Sequence, residues 1–143
     1  MRFGLVIAMA LGATGACTSN GAHVDGPIDL ASTGGFTGTG DGSAKLHIEL
    51  DGAATRERGD IRETATLDAA TLADLDHKIE AAQFDTLAPL YMGPIVDDNG
   101  DSVSVVVEGA TRTVVVSRSA SPPAALRVVI DTLADIRARP IWH

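Results

Sequence analysis

The stretch SVSVVVEGATRTVVVS, residues 102–117, constrains the chain more than any other. Valine and threonine are branched at Cβ and favour the extended, pleated backbone. Two such runs around a glycine predict a β-hairpin. The spacing predicts a tight turn over Glu108, Gly109, Ala110 and Thr111, with Gly109 at its first central position. The Val-Val-Val centres lack polar alternation, which predicts covering on both faces and a central place in a sheet.

The hairpin needs something to pack on, and two segments have the spacing for it. After Leu67, Asp68 can cap a helix over residues 69–83, with Leu67 and Leu72 forming a hydrophobic staple across its start. Leu72, Leu75, Ile79 and Ala82 then recur on one helical face. Ser121-Pro122-Pro123 opens a second helix, in which Leu126, Val129, Ile130, Leu133 and Ile136 form the apolar stripe. Arg137 and Arg139 suit its negative end, and Pro140 stops it. Further strands are expected at PIDLAST, residues 27–33, and at KLHIELDG, residues 45–52, where apolar and polar residues alternate. A weaker one is expected at DIRETATL, residues 60–67, while residues 88–101 carry two prolines and a polar cluster and read as loop. The expected order is β-β-(β)-α-β-β-α. That is an α+β fold, a small antiparallel sheet with two helices packed on it, and not a doubly wound nucleotide fold.

The single cysteine, Cys17, stands where an apolar N-terminal run with one early cation, Arg2, gives way to polar residues. Such a run reads as a secretory signal and is too short to span a bilayer. Thr14-Gly15-Ala16-Cys17 resembles a bacterial lipobox, in which the cysteine receives a diacylglycerol and becomes the new N-terminus. No second cysteine exists to pair it. Residues 1–16 are therefore expected to be a signal peptide, 17–26 a lipidated flexible tether and 27–143 a single domain. Thr18 in place of an inner-membrane retention aspartate points, in a Gram-negative cell, to the outer membrane, facing the periplasm or the cell surface.

Charge and motifs narrow the function by exclusion. With 11 Lys+Arg against 19 Asp+Glu, the formal net charge is −8, and such a surface repels nucleic acid and anionic lipid. The histidines, His23, His47, His77 and His143, show no metal-ligand spacing, and the pair His77 and Glu80 reads as a solvated helix face. His47 alternates with the apolar residues of its strand and is expected on the solvent side. Asp97, Asn99, Asp101 and Glu108 have the spacing of an EF-hand, but Ser102 replaces its glycine and a valine strand follows. Along that strand Glu108 would lie about 20 Å from Asp101, too far to share an ion. No catalytic residue, metal, cofactor or small-molecule substrate is expected.

The glycine-dense STGGFTG, followed by LDAATLADLDHKIEAAQFDTL, the valine hairpin and SPPAALRVVIDTLADI, resembles the emfourin family of proteinaceous inhibitors of thermolysin-like metalloproteases. The resemblance runs over about residues 28–137. Its most specific pieces are Gly34-Gly35-Phe36-x-Gly38 and Ala81-Ala82-x-Phe84-x-x-Leu87. The chain departs from the family in its lipobox-like start and in a longer segment between residues 39 and 66. The resemblance implies a protein partner, a metalloprotease, contacted through Gly34, Gly35, Phe36 and Gly38, while the lipobox-like quartet separately implies membrane attachment through the N-terminal lipid. A non-enzymatic scaffolding lipoprotein that binds another envelope protein is the alternative, and an enzyme is the third class.

Only a sulfur can accept the diacylglycerol, so Cys17→Ser is expected to abolish labelling by radioactive palmitate and to leave an unprocessed precursor. Equal labelling of variant and wild type would refute the anchor.

Overall fold

In a computed structural model the described residues are 23–33, 43–95 and 99–143. They form β1 (Val24–Thr33), β2 (Ala44–Ile48), β3 (Ala53–Arg58), β4 (Ile61–Thr66), α1 (Ala69–Ala82), β5 (Leu90–Tyr91), β6 (Gly100–Val107), β7 (Ala110–Ser117) and α2 (Ala124–Ala138). The seven strands make one sheet in the order β4-β3-β2-β1-β6-β7-β5. All neighbours are antiparallel except β5 and β7, which run parallel, so the sheet is mixed where an antiparallel one was expected. The fold is α+β, as the sequence predicts.

Both helices cover the same face of the sheet. The Asp68 carboxylate accepts a 2.7 Å hydrogen bond from the Thr71 N–H, which satisfies one free donor of the first turn of α1. That bond also holds the Asp68 carboxyl below its ordinary pKa. The helix ends one residue before the expected position, because Gln83 turns left-handed with φ of 49° and sends its N–H back to the Glu80 carbonyl. Leu75, Ile79 and Ala82 are buried and Leu72 packs at their margin. On α2 all five residues of the expected stripe are buried, and they meet Leu30, Leu46, Ile48, Val103, Val105, Val114 and Val116 of the sheet. Phe84 closes this layer below α1.

The other face of the sheet carries no helix, and this corrects the expected double covering of the valine runs. Val103, Val105 and Val107 of β6 are buried and Val114 and Val116 of β7 are too, but Val115 is 39% exposed. Three adjacent valines therefore alternate between core and surface like any strand residues. The hairpin turn also sits one residue earlier than predicted: Val107 pairs with Ala110, and Glu108 and Gly109 are the central pair, with φ of 51° and 72°. Positive φ at both positions matches the right-handed twist of the strands, and Glu108 bears the strain that a second glycine would avoid.

Two elements, β3 and β5, lie outside the expected order, and β1 is longer than expected. β1 begins at Val24 and so takes in Val24, Asp25 and Gly26, which were expected in the tether. A Cβ on Gly26 would come within 2.7 Å of Val106, so only glycine lets this end of β1 lie against β6. β3 pairs with both β2 and β4, and the two-residue β5 adds to the edge of β7. At the opposite edge, His143 exchanges backbone hydrogen bonds with Thr64 of β4, at 2.9 and 3.2 Å. Trp142 beside it lies under the Arg56 guanidinium, 5.2 Å from the ring centre. Among the described residues no helix is long and apolar enough to cross a membrane.

Ile79 is 1% exposed between the two helices and the sheet. Ile79→Ala is expected to destabilise the domain by about 2–5 kcal/mol in denaturant unfolding. A loss under about 0.5 kcal/mol would mean that the α1 face packs elsewhere.

Candidate functional site

β1 is the central strand, and its two ends have different neighbours. Val24 begins it next to the N-terminal segment, while Thr33 ends it at residues 34–42, which connect β1 to β2. Gly34, Gly35, Phe36 and Gly38, the predicted contact residues, lie outside the described residues, as do Cys17 and Asp97. The residues that hold the two ends of that connection are described.

They are tied by one side chain from α2. Arg137 reaches across the layer and donates from Nη1 to Ser32 Oγ at 2.9 Å and to the Ala44 carbonyl at 3.3 Å. Ser32 belongs to the end of β1 and Ala44 opens β2, so a single guanidinium group bridges both stems. Ser32 Oγ donates in turn to Asp101 Oδ1 at 2.6 Å, which fastens the stem to the start of β6. Thr33 Oγ1 adds a 3.2 Å bond to the Gly100 carbonyl. Partial burial pushes the Arg137 pKa down, Asp101 opposes that shift, and the nearby Arg58 charge adds to it. The guanidinium nonetheless stays protonated throughout the working pH range.

Of the EF-hand candidates, Asp101 lies at the start of β6 and Glu108 in the turn beyond its other end. The extended strand between them keeps them from sharing an ion, and Asp101 serves the Ser32–Arg137 network instead. Among the described residues no group of three His, Cys, Asp or Glu side chains is arranged to hold a metal ion. His77 stands 3.9 Å from Glu80 with an 81% exposed side chain, as a solvated pair.

The open face of the sheet holds an arrangement that periodicity could not show. Register places Thr64, Thr55, His47, Asp29, Ser104 and Thr113 in one row across six strands. Serine, histidine and aspartate thus lie side by side, but in the wrong order for nucleophilic catalysis. The carboxylate stands between the other two, and Ser104 Oγ bonds Thr113 Oγ1 at 2.8 Å. Both His47 nitrogens are taken, Nδ1 by Asp29 Oδ1 at 2.7 Å and Nε2 by Glu49 Oε1 at 2.9 Å. No ring nitrogen is left to receive a proton from the serine. Strand alternation put His47 on the solvent side correctly, but only the register between β1 and β2 brings Asp29 to it.

No protein-family model matches the chain, and no curated protein sequence does.

The carboxylates on both sides favour the imidazolium form, so the His47 pKa is raised from its ordinary 6.5, chiefly by the Glu49 hydrogen bond and then by that from Asp29. A folded-state pKa above the unfolded one stabilises the fold fully below about pH 6.5, and that contribution is lost as pH rises through the raised value. The gap in melting temperature between wild type and His47→Gln is expected to be widest near pH 5.5 and to shrink toward about pH 9. A gap independent of pH would show that the bridge contributes nothing.

Proposed function

We propose that the chain is a lipid-anchored envelope protein whose domain inhibits a thermolysin-like metalloprotease, with residues 34–42 as the contact segment. The observation that carries this proposal is the Arg137 bridge between Ser32 and Ala44. An inhibitory segment binds tightly when its ends are fixed before the encounter, since less conformational freedom is then lost on binding. A guanidinium that links both stems, with Asp101 bracing one of them, is such a fixing device. The direction of β1 agrees with it. The strand's ten residues, at about 3.3 Å each, carry the chain some 30 Å from its entry near residue 23 to the contact segment, away from the anchored end.

Phe36 is the contact group in this mechanism. Thermolysin-like enzymes accept a bulky apolar side chain just after the scissile bond, and Phe36 fills that subsite while the neighbouring glycines let the backbone lie close to the cleft. The acidic domain is steered toward a basic cleft rim, an effect that weakens with salt. No covalent step is needed, and the inhibitor is not turned over.

A scaffolding lipoprotein is the second possibility, and one feature favours it. Leu90, Met92, Ile95 and Val115 are 52%, 63%, 57% and 39% exposed around β5 and the neighbouring strand, an apolar strip suited to another protein.

Titration of the purified full chain against the zinc protease of the same organism is expected to give stoichiometric inhibition. Phe36→Ala is expected to weaken it by more than tenfold, about 1.4 kcal/mol, at an unchanged melting temperature. Arg137→Gln, which loses the double bridge, is expected to weaken it as well. No inhibition at micromolar excess would refute the proposal and leave the scaffold. Inhibition unchanged in Phe36→Ala would move the contact elsewhere.

A further inference from the structure

The same end of the domain has a second property that stem anchoring does not require. A cavity of about 290 Å³ is lined by Arg118, Arg127 and Arg137 together with Ser32, Asn99 and Asp101. The three arginines come from different places, one just after β7, one early in α2 and one in the last turn of α2. Their convergence is therefore a product of the fold and not of a basic run in the sequence.

The cluster is undercompensated. Arg56, Arg62 and Lys78 each have a carboxylate partner, at 2.6, 3.6 and 2.7 Å. No carboxylate oxygen of a described residue lies within the 4.0 Å ion-pair distance of Arg118, Arg127 or Arg137. The single acid in the lining, Asp101, already accepts from Ser32 Oγ. Arg127 gives one donor to the Ala120 carbonyl and Arg137 shares one nitrogen between Ser32 and Ala44. A guanidinium carries five N–H donors, so most donors of these three arginines make no hydrogen bond to a described residue. In a protein of net charge −8, acidic groups are plentiful, yet here like charges are held together around a space. Such an arrangement lowers its free energy when an anion enters, because each fork can bind two oxygens of one tetrahedral or planar oxyanion.

We propose that this cavity binds a soluble oxyanion of the phosphate class, held as a ligand and not chemically changed. Headgroups of the anchoring membrane are the poorer source of such a group. The cavity lies beside Ser32 and Thr33, at the end of β1 remote from residue 23, where the chain enters from the N-terminal side. The site shares Ser32, Asp101 and Arg137 with the stem network, but anion binding does not depend on protease inhibition.

The test is calorimetric titration of the full chain in neutral detergent with inorganic phosphate and with pyrophosphate, at ionic strength held constant with chloride. Saturable one-to-one binding is expected, stronger for pyrophosphate. Arg118→Gln and Arg127→Gln are each expected to weaken it about tenfold or more, about 1.4 kcal/mol, while their melting temperatures in chloride match wild type. Arg118 is exposed, so its replacement leaves the fold intact. Heats no larger than those of chloride, or equal binding by wild type and both variants, would overturn the site. Sedimentation with phosphatidylglycerol vesicles in the absence of any binding to free pyrophosphate would also overturn it, by making a headgroup the ligand.

Discussion

One apolar layer holds this domain together. α1 and α2 lie on a single face of a seven-stranded sheet, and Leu75, Ile79, Leu126, Val129, Leu133 and Ile136 meet the inward side chains of the central strands there. Because side chains of a strand alternate, that one contact decides which residues point to the other side. The row from Thr64 to Thr113 is polar for this reason. It is the outward complement of the residues that the helices cover.

The same layer explains how an arginine comes to organise one end of the sheet. Arg137 follows Ile136 in the last turn of α2, so its stem leaves the core at the helix edge and its head emerges where β1, β2 and β6 meet. Placing a charge in such a half-buried position is unfavourable unless hydrogen bonds accompany it. Here they do, to Ser32 and Ala44, while the charge itself stays without an ion pair among the described residues. Strand ends that would otherwise fray are thereby joined through helix packing.

The two helices and the valine hairpin were legible because their signals are local. A cap at Asp68, a proline pair just ahead of a helix that begins at Ala124 rather than Ser121, and five apolar residues at helical spacing need no knowledge of the rest of the chain. β3 was not legible, since its sequence AATRER buries only Ala54 fully and places Arg56 on the inward side. Arg56 is accommodated there by Glu63 at 2.6 Å across the hairpin, and by the Arg137 carbonyl and the Trp142 ring, which are far from it in sequence. β5 is two residues long and is a strand only because Val115 and Val116 lie beside it. The Asp29–His47 contact depends on strand register, which periodicity leaves open, and the arginine cavity on how α2 packs against the sheet. The stems on either side of residues 34–42 are held at Ser32, Thr33 and Ala44, by contacts from α2 and β6 that are distant in sequence.

The length and placement of β1 also decide how the domain bears load. A pull between the chain's entry near residue 23 and the connection after Thr33 runs along a strand that is paired on both sides, with β2 and with β6. The hydrogen bonds of these antiparallel pairs lie across the direction of that pull. Both points of attachment belong to β1 itself, so its covalent backbone carries the tension and the crossing hydrogen bonds are not sheared. A pull between these two points would pass through one strand and leave the packing of the helices on the sheet unloaded.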